Sequence, residues 1–371
     1  MKTIFFATTM IIFIIKITTP SFATYLQVNN KLTVSGISSG AFFAHQFHLT
    51  YNEDVIGAAL FAGGPFYCAR NSINRALDTC MKGEDSHTLA LESHSKLKDL
   101  EKEELVDHLD NIKNDRVFLF SGLNDNVVDS SVVYQVKKLY LLLGIKEGDL
   151  FYKDSTLAGH AWPTLNYGNP CETPKQGPFI SDCDYDGALE SYRFLYPNKE
   201  ISSIYNGGNL IEIDQSNFFT ERIDSILMQE KGYLYIPKSC YEKRCDFHIA
   251  FHGCAQTLDH IQEQFIKETG IIEASKKLDL VVLFPQARKS YLPSMNPYGC
   301  WDWWGHSSSD YYHKKGNQMN IIKKMVDYYM SKSNDLEKQF HLSAIKEHPI
   351  ALDDFTLNNF KSKVRKNRFT Q

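Results

Sequence analysis

The sequence predicts an α/β fold, a mainly parallel central sheet with helices on both faces. Short apolar runs of strand composition alternate with helical periodicity through most of the chain, the pattern of a parallel sheet wrapped by helices. One strand runs directly into Gly36-Ile37-Ser38-Ser39-Gly40 and from there into a helical stretch, so a strand–turn–helix unit opens the folded region. With 43% hydrophobic and 13% aromatic residues, the 371-residue chain has enough apolar side chains for a large core.

Residues 32–35 form the strand that enters the Gly36 turn, and residues 40–49 read as a helix with Phe43 and Phe47 on one side. A second strand over 55–62 is ended by Gly63-Gly64-Pro65. Residues 89–112 read as one charged amphipathic helical stretch, 116–120 as a buried strand and 150–153 as a weaker one. Beyond a loop holding Cys171 and Cys183, residues 185–195 look helical, and Asn206-Gly207-Gly208 marks the best internal boundary. Four more strands are expected at 210–213, 233–236, 247–251 and 280–284, the last two separated by a helix over about 259–277. Ile321, Ile322, Met325, Val326, Tyr329 and Met330 recur at helical spacing.

The ends are different. Lys2, a short apolar run over 4–15 and Pro20-Ser21-Phe22-Ala23 have the pattern of a signal peptide covering 1–23. Lys16 interrupts the run well short of the about 20 apolar residues that a membrane span needs. A single catalytic domain is expected over 24–332, with a peripheral charged extension over 333–371. Without Lys2 and Lys16, 38 basic residues face 44 acidic ones, a mildly acidic balance that speaks against nucleic-acid binding.

An even number of cysteines in an exported chain favours disulfides. Sequence order suggests Cys68 with Cys80, Cys171 with Cys183, Cys240 with Cys245, and Cys254 with Cys300. A zinc site from Cys240, Cys245, His252 and Cys254 matches no common ligand frame, and neither a metal nor a cofactor is expected.

A serine hydroxyl attacks a carbonyl only when a base takes its proton and the chain presents it openly. Glycines flanking Ser38 permit such a turn, and the helix N-terminus behind it favours developing negative charge. The pentapeptide pattern alone would occur by chance in roughly one chain in ten of this length, so its weight rests on the strand before it and the helix after it. Ser39 is the rival nucleophile, but it is off-centre, and its amide suits an oxyanion hole better. An acid and a base should follow in the order Ser, Asp, His of the α/β-hydrolase fold. Asp125 lies just past the strand at 116–120, whereas its neighbour Asp129 reads as a helix cap. His160, in Gly159-His160-Ala161, alone of thirteen histidines has both the chain position and the loop context for the base.

The second oxyanion donor should come from a loop after another central strand. Phe251-His252-Gly253-Cys254 offers the Cys254 amide, with His252 as a buried brace rather than a second base. In the usual hydrolase order this loop precedes the nucleophile by two strands, yet here it follows by over two hundred residues; a circular permutation of one fold would account for that. Trp301, Trp303 and Trp304 cannot all face inward on one helix, and Trp304 is the candidate for apolar substrate contact.

Gly36-Ile37-Ser38-Ser39-Gly40, Ala62-Gly63-Gly64-Pro65, Phe120-Ser121-Gly122, Gly159-His160, Phe251-His252-Gly253-Cys254 and Cys300-Trp301-Asp302-Trp303-Trp304 together resemble the polyhydroxybutyrate depolymerase group of esterases in its single-domain, circularly permuted form. The resemblance runs over nearly all of the chain from residue 24 to about 330. It implies a Ser38, Asp125, His160 triad, an oxyanion hole from the Ser39 and Cys254 amides, and an ester of short 3-hydroxyalkanoate units as substrate. No Ser/Thr-rich linker to a polymer-binding module is found, so short oligomers or amorphous polymer are expected. The expectation is thus a secreted monomeric serine esterase, extracellular or periplasmic, whose partner is a polyester or oligoester, with no stable membrane insertion. Feruloyl or acetyl esters of plant cell walls, a non-catalytic surface-binding protein and, last, a zinc hydrolase are the alternatives.

Overall fold

The computed structural model describes residues 26, 28–201, 207–219, 223–292 and 294–331. The expected leader, the extension over 333–371 and Asn206 of the expected boundary lie outside the described residues. Eight strands form one sheet: β1 (Val28–Ile37), β2 (Val55–Phe61), β3 (Arg116–Phe120), β4 (Leu150–Lys153), β8 (Gly208–Asp214), β9 (Lys231–Pro237), β10 (Cys245–Phe251) and β11 (Leu280–Phe284). A separate small sheet joins β5 (Trp162–Thr164), β6 (Asn169–Pro170) and β7 (Ile180–Asp182). The helices are α1 (Ser39–Thr50), α2 (Ile73–Leu77), α3 (Thr79–Lys82), α4 (Leu89–Lys102), α5 (Ser130–Leu142), α6 (Gly187–Leu195), α7 (Ile223–Ile226), α8 (Leu258–Ile261), α9 (Gln264–Glu268), α10 (Ile271–Leu278) and α11 (Asn317–Ser331).

The large sheet runs β4-β3-β2-β1-β10-β11-β9-β8, parallel except for the β11–β9 and β9–β8 pairs. The inner strands β2, β3 and β11 are covered on both faces, hence their largely apolar runs, whereas edge strand β8 is mostly half-buried or exposed. Alternation along β1 sends Leu32 and Val34 to one core with Phe43 and Phe47 of α1, Leu97 of α4, Val136 of α5 and Met325 of α11. The opposite face packs Tyr192 of α6, Phe265 of α9 and Ile271 of α10.

Two polar residues of β1, Thr33 and Ser35, face that second layer and are paired there. Thr33 Oγ1 lies 2.6 Å from His248 Nδ1 and Ser35 Oγ 2.7 Å from His248 Nε2, while the Tyr196 hydroxyl is 2.6 Å from Thr33 Oγ1. On the other face His48 of α1 bridges Tyr140 Oη at 2.8 Å and Asp115 Oδ2 at 3.0 Å. Burying such groups is tolerable only because each has a partner. The four disulfides are Cys68–Cys80, Cys171–Cys183, Cys240–Cys245 and Cys254–Cys300.

Several elements differ from the sequence expectation. Strand β1 continues through Gly36 to Ile37, so the turn falls on Ser38 itself. The stretch over 89–112 breaks after Lys102, where Glu104 takes a φ of 59° and Leu105 N closes on Leu100 O, and a separate 3₁₀ turn follows at Leu109–Asn114. The helix expected near 259–277 is three short ones, interrupted at Gln262 and Gly270 by φ values of 54° and 78°. Residues 301–304 are not helical at all. The small β5–β7 sheet has no signal in the sequence, because strands of two or three residues are too short to show a period.

Burial lowers the pKa of His45 and His248 to about 3 and that of His252 to about 4, so all three are neutral in the folded chain. Unfolding exposes them at their ordinary value of 6.5, so the unfolded state takes up protons below that pH and the folded state does not. Each therefore removes about 1.4 kcal/mol of stability per pH unit as pH falls from 6.5 toward its folded pKa. Thermal unfolding followed from pH 8 to 4.5 should show a nearly level midpoint above pH 7 and a steepening fall below 6.5; a midpoint independent of pH would contradict this.

Candidate active site

The end of β1 and the start of α1 are forced together. A Cβ on Gly36 would stand 2.3 Å from the Gly40 carbonyl oxygen, and one on Gly40 would stand 2.4 Å from the carbonyl oxygens of both Phe251 and His252. Glycine is required at both positions by close approach rather than by dihedral angle. Between them Ser38 takes φ 55° and ψ −124°, a conformation that costs a non-glycine residue about 1–3 kcal/mol. Its amide donates to Phe61 O at 2.9 Å, and its carbonyl accepts from the amides of Ala41 and Phe42, which starts α1. Of residues 32–50, Ser38 alone is not buried. The strain thus brings one hydroxyl to the surface at the C-terminal edge of the sheet, above the N-terminus of a helix.

Ser39, the rival, is 1% exposed, and its Oγ has no hydrogen-bond partner. Its amide is the first of α1 and has no acceptor in a preceding helical turn.

Asp125 and His160 follow β3 and β4 at the same edge, two and three strands from β1. The loops carrying them are interlocked: Asn124 N donates to Ala158 O at 3.0 Å, and a Cβ on Gly122 would meet Ala158 O at 2.1 Å. Asp125 Oδ2 lies 2.8 Å from His160 Nδ1, while Oδ1 accepts from the amides of Val127 and Val128 at 2.8 and 2.9 Å. A carboxylate can only accept, so the imidazole carries its hydrogen on Nδ1 and keeps the Nε2 lone pair for use as a base. Both side chains are buried. Asp129 accepts from Ser131 N at 2.8 Å as the N-cap of α5, the lesser role expected for it.

Strand β10 ends at the loop His252-Gly253-Cys254. His252 Nδ1 donates to Gly253 O at 2.8 Å and its Nε2 accepts from Ala287 N at 3.1 Å, so this buried neutral histidine braces the loop with both nitrogens. A Cβ on Gly253 would lie 3.4 Å from Ser38 Cβ, which puts the loop beside the elbow. Through Cys254–Cys300 the loop is tied to the aromatic segment.

Trp301 is buried against Phe43, Phe251 and His252, and Trp303 stacks on Phe42 at 4.1 Å. Trp304 is half-buried, with its ring 4.2 Å from that of His306. The segment turns about the Asp302 carboxylate, which accepts from the amides of Trp304, Gly305, His306, Ser307 and Ser308 and from Ser307 Oγ. Burial pushes that carboxyl up, but the His306 ring beside it and the hydrogen bonds from Ser307 outweigh this and hold it at about 2.

The sequence assigns no role to two residues of this neighbourhood. Asp302 is one; the other is Gln256, whose buried carboxamide bridges Gly253 to Pro178 and Phe179, the last with its ring 6.2 Å from that of His160. Cys240, Cys245 and Cys254 are all in disulfides and supply no thiolate to a metal. A cleft of about 810 Å³ lined by Lys31, Asn52, Asp115, Arg116 and Lys199 opens at the opposite, N-terminal edge of the sheet and shares none of these groups.

No family model matches the chain. It is 36% identical over 306 residues to the poly(3-hydroxybutyrate) depolymerase of Delftia acidovorans, a match covering 80% of this chain and only 59% of that protein. It is 30% identical over 320 residues to the polyhydroxybutyrate depolymerase of Talaromyces funiculosus, covering 81% of this chain and 90% of that one. Among solved structures, a PHB depolymerase complexed with an R3HB trimer superposes with a TM-score of 0.74 at 27% identity, covering 83% of this chain and 98% of the other. The PHB depolymerase from Penicillium funiculosum matches at a TM-score of 0.74 and 28% identity over the same shares.

The elbow predicts opposite outcomes at neighbouring positions. Ser39→Ala removes a buried hydroxyl that has no partner and should leave the thermal midpoint unchanged or raised. Gly40→Ala drives a methyl group into two backbone carbonyls and should abolish recovery of folded protein. Expression yield and thermal unfolding of the two variants check both.

Proposed function

The chain belongs to the polyhydroxybutyrate depolymerase family, and from that premise we propose that it is an exported serine esterase cleaving polyhydroxybutyrate or short 3-hydroxyalkanoate oligomers. The observation that carries the reading is the strained Ser38, the one half-buried residue of an otherwise buried run, at the same sheet edge as a buried Asp125–His160 pair.

In the proposed mechanism His160 Nε2 takes the Ser38 proton as the hydroxyl attacks an ester carbonyl. The amides of Ser39 and Cys254 stabilise the tetrahedral oxyanion, and Asp125 holds the imidazole tautomer. His160 then protonates the departing alcohol, activates water against the acyl-enzyme and releases the hydroxy acid.

Strand order supports a circularly permuted α/β-hydrolase. Counted from β8, the Cys254 loop would follow the third strand and Ser38 the fifth, with acid and base after the seventh and eighth. On this reading residues 24–332 are one catalytic domain cut just before its nucleophile strand. Four disulfides and the expected leader support export, and no helix among the described residues is long and apolar enough to cross a membrane.

Action on a polyester surface has its own support. Leu123, Leu157 and Leu165 are exposed on the loops around Asp125 and His160. Leu292, 84% exposed, lies with Met295 and Tyr298 on the loop that precedes Cys300, where Tyr298 O accepts from Ala255 N. Apolar side chains gathered around one site mark a contact surface rather than scattered exposure. Trp304, half-buried, is the candidate for contact with the bound acyl chain.

The purified chain should release 3-hydroxybutyrate and its oligomers from amorphous polymer, and Ser38→Ala should lower turnover by roughly four to six orders of magnitude with the fold intact. An active, folded Ser38→Ala protein would overturn the reading; faster cleavage of feruloyl or acetyl esters than of hydroxybutyrate trimer would move the substrate class. Exchanging Leu292 and Met295 for serine should weaken adsorption to polymer particles while leaving kcat on a water-soluble short ester within about twofold.

A further inference from the structure

Gln256 is 1% exposed and its side chain makes three hydrogen bonds, all to backbone. Its Oε1 accepts from Gly253 N at 2.7 Å, and its Nε2 donates to Pro178 O at 3.0 Å and Phe179 O at 3.1 Å. Only this orientation of the carboxamide pairs every donor with an acceptor.

The two stretches it joins belong to different parts of the site. Gly253 adjoins Ser38, and the Gly253–Cys254 peptide carries the candidate oxyanion amide. The carbonyl of that peptide is held by His252 Nδ1 at 2.8 Å and by the backbone N–H of Gln256 at 3.3 Å, while the Gln256 side chain holds the preceding Gly253 N–H. Because a trans peptide points its N–H opposite its C=O, those bonds fix the direction of the Cys254 N–H. On the other side, Phe179 O also accepts from Trp162 N at 2.9 Å, two residues past His160, and the Phe179 ring stands edge-on to the imidazole at 6.2 Å. The loops come from β10 and from the chain after β4, which are separated in the sheet by β1, β2 and β3 and share no ladder. Gln256 joins them directly.

We infer that Gln256 is a positioning residue that sets the Cys254 amide in register with His160, so that oxyanion hole and base address the same ester. The inference rests on the serine-esterase reading above. It asks of Gln256 no contact with substrate, only that two loops keep their spacing. A displacement near 1 Å at such a site costs up to about 10²-fold in rate.

The test uses Gln256→Glu and Gln256→Met in the full chain. The glutamate keeps the volume and the acceptor for Gly253 N but turns an oxygen toward the two carbonyls; the methionine keeps length and loses all three bonds. With a short p-nitrophenyl ester below the unfolding range, kcat should fall about 10- to 100-fold while KM stays within about twofold. Labelling of Ser38 by a phosphonate, whose tetrahedral adduct uses the same hole, should slow by the same factor. A merely structural role would lower the thermal midpoint and leave both rates unchanged. Folded variants with kcat within twofold of the parent, or with the loss confined to KM, would overturn the inference; if the methionine variant does not fold, the glutamate variant decides. Ser38→Ala run in parallel separates the two ideas, since turnover there close to that of the parent would sink the esterase reading itself.

Discussion

The approach of Gly40 to the end of β10 governs this molecule. With no side chain at that position, α1 settles onto the carbonyls of Phe251 and His252, where a Cβ would leave only 2.4 Å. Residues more than two hundred positions apart, Ser38 and Gly253, become neighbours as a result. The same closeness forces the chain to reverse within one residue, and Ser38 takes the strained conformation that lifts it out of an otherwise buried run. Strain here is sustained by the packing of a central helix between two parallel strands, which over-determines the turn.

Apolar burial on both faces of the sheet supplies the stability, but buried polar ties set the register of the loops above it. His248 joins β1 to β10 just below the elbow through Thr33 and Ser35. His252 and Gln256 hold the loop beyond β10, and Asp302 organises residues 304–308 without any regular secondary structure. Each group is expensive to bury alone and stable when paired, so an error in loop position leaves donors or acceptors unmet. The Cys254–Cys300 bond adds a covalent limit on how far the aromatic segment can move from the elbow.

Much of this was legible in the chain because it is local. Strands β3, β4 and β11 fall at the bounds expected for them, since short apolar runs between polar loops have few other solutions. Ser38, Asp125 and His160 could be singled out because each lies in a turn or loop past a strand, and the cysteine pairs in sequence order are those that short loops bring together. Helix interruptions were not legible. Glu104 and Gln262 take positive φ without being glycine, so composition carries no mark of the break. Which tryptophans turn inward was not legible either, because residues 301–304 form no helix and a single carboxylate, Asp302, folds the segment after it into successive turns.

By itself the sequence determined the alternation of strands and helices, the glycine-flanked Ser38 and the placing of Asp125 and His160 in loops past later strands, because periodicity and turn chemistry act over a few residues. Only the tertiary structure decided which loops meet. Sheet order places β1 between β2 and β10, and that adjacency, rather than any motif, sets Gly253 beside Ser38 and lets Gln256 reach Phe179. Hydrogen bonds across such distances depend on the packing of whole layers, which no local pattern encodes.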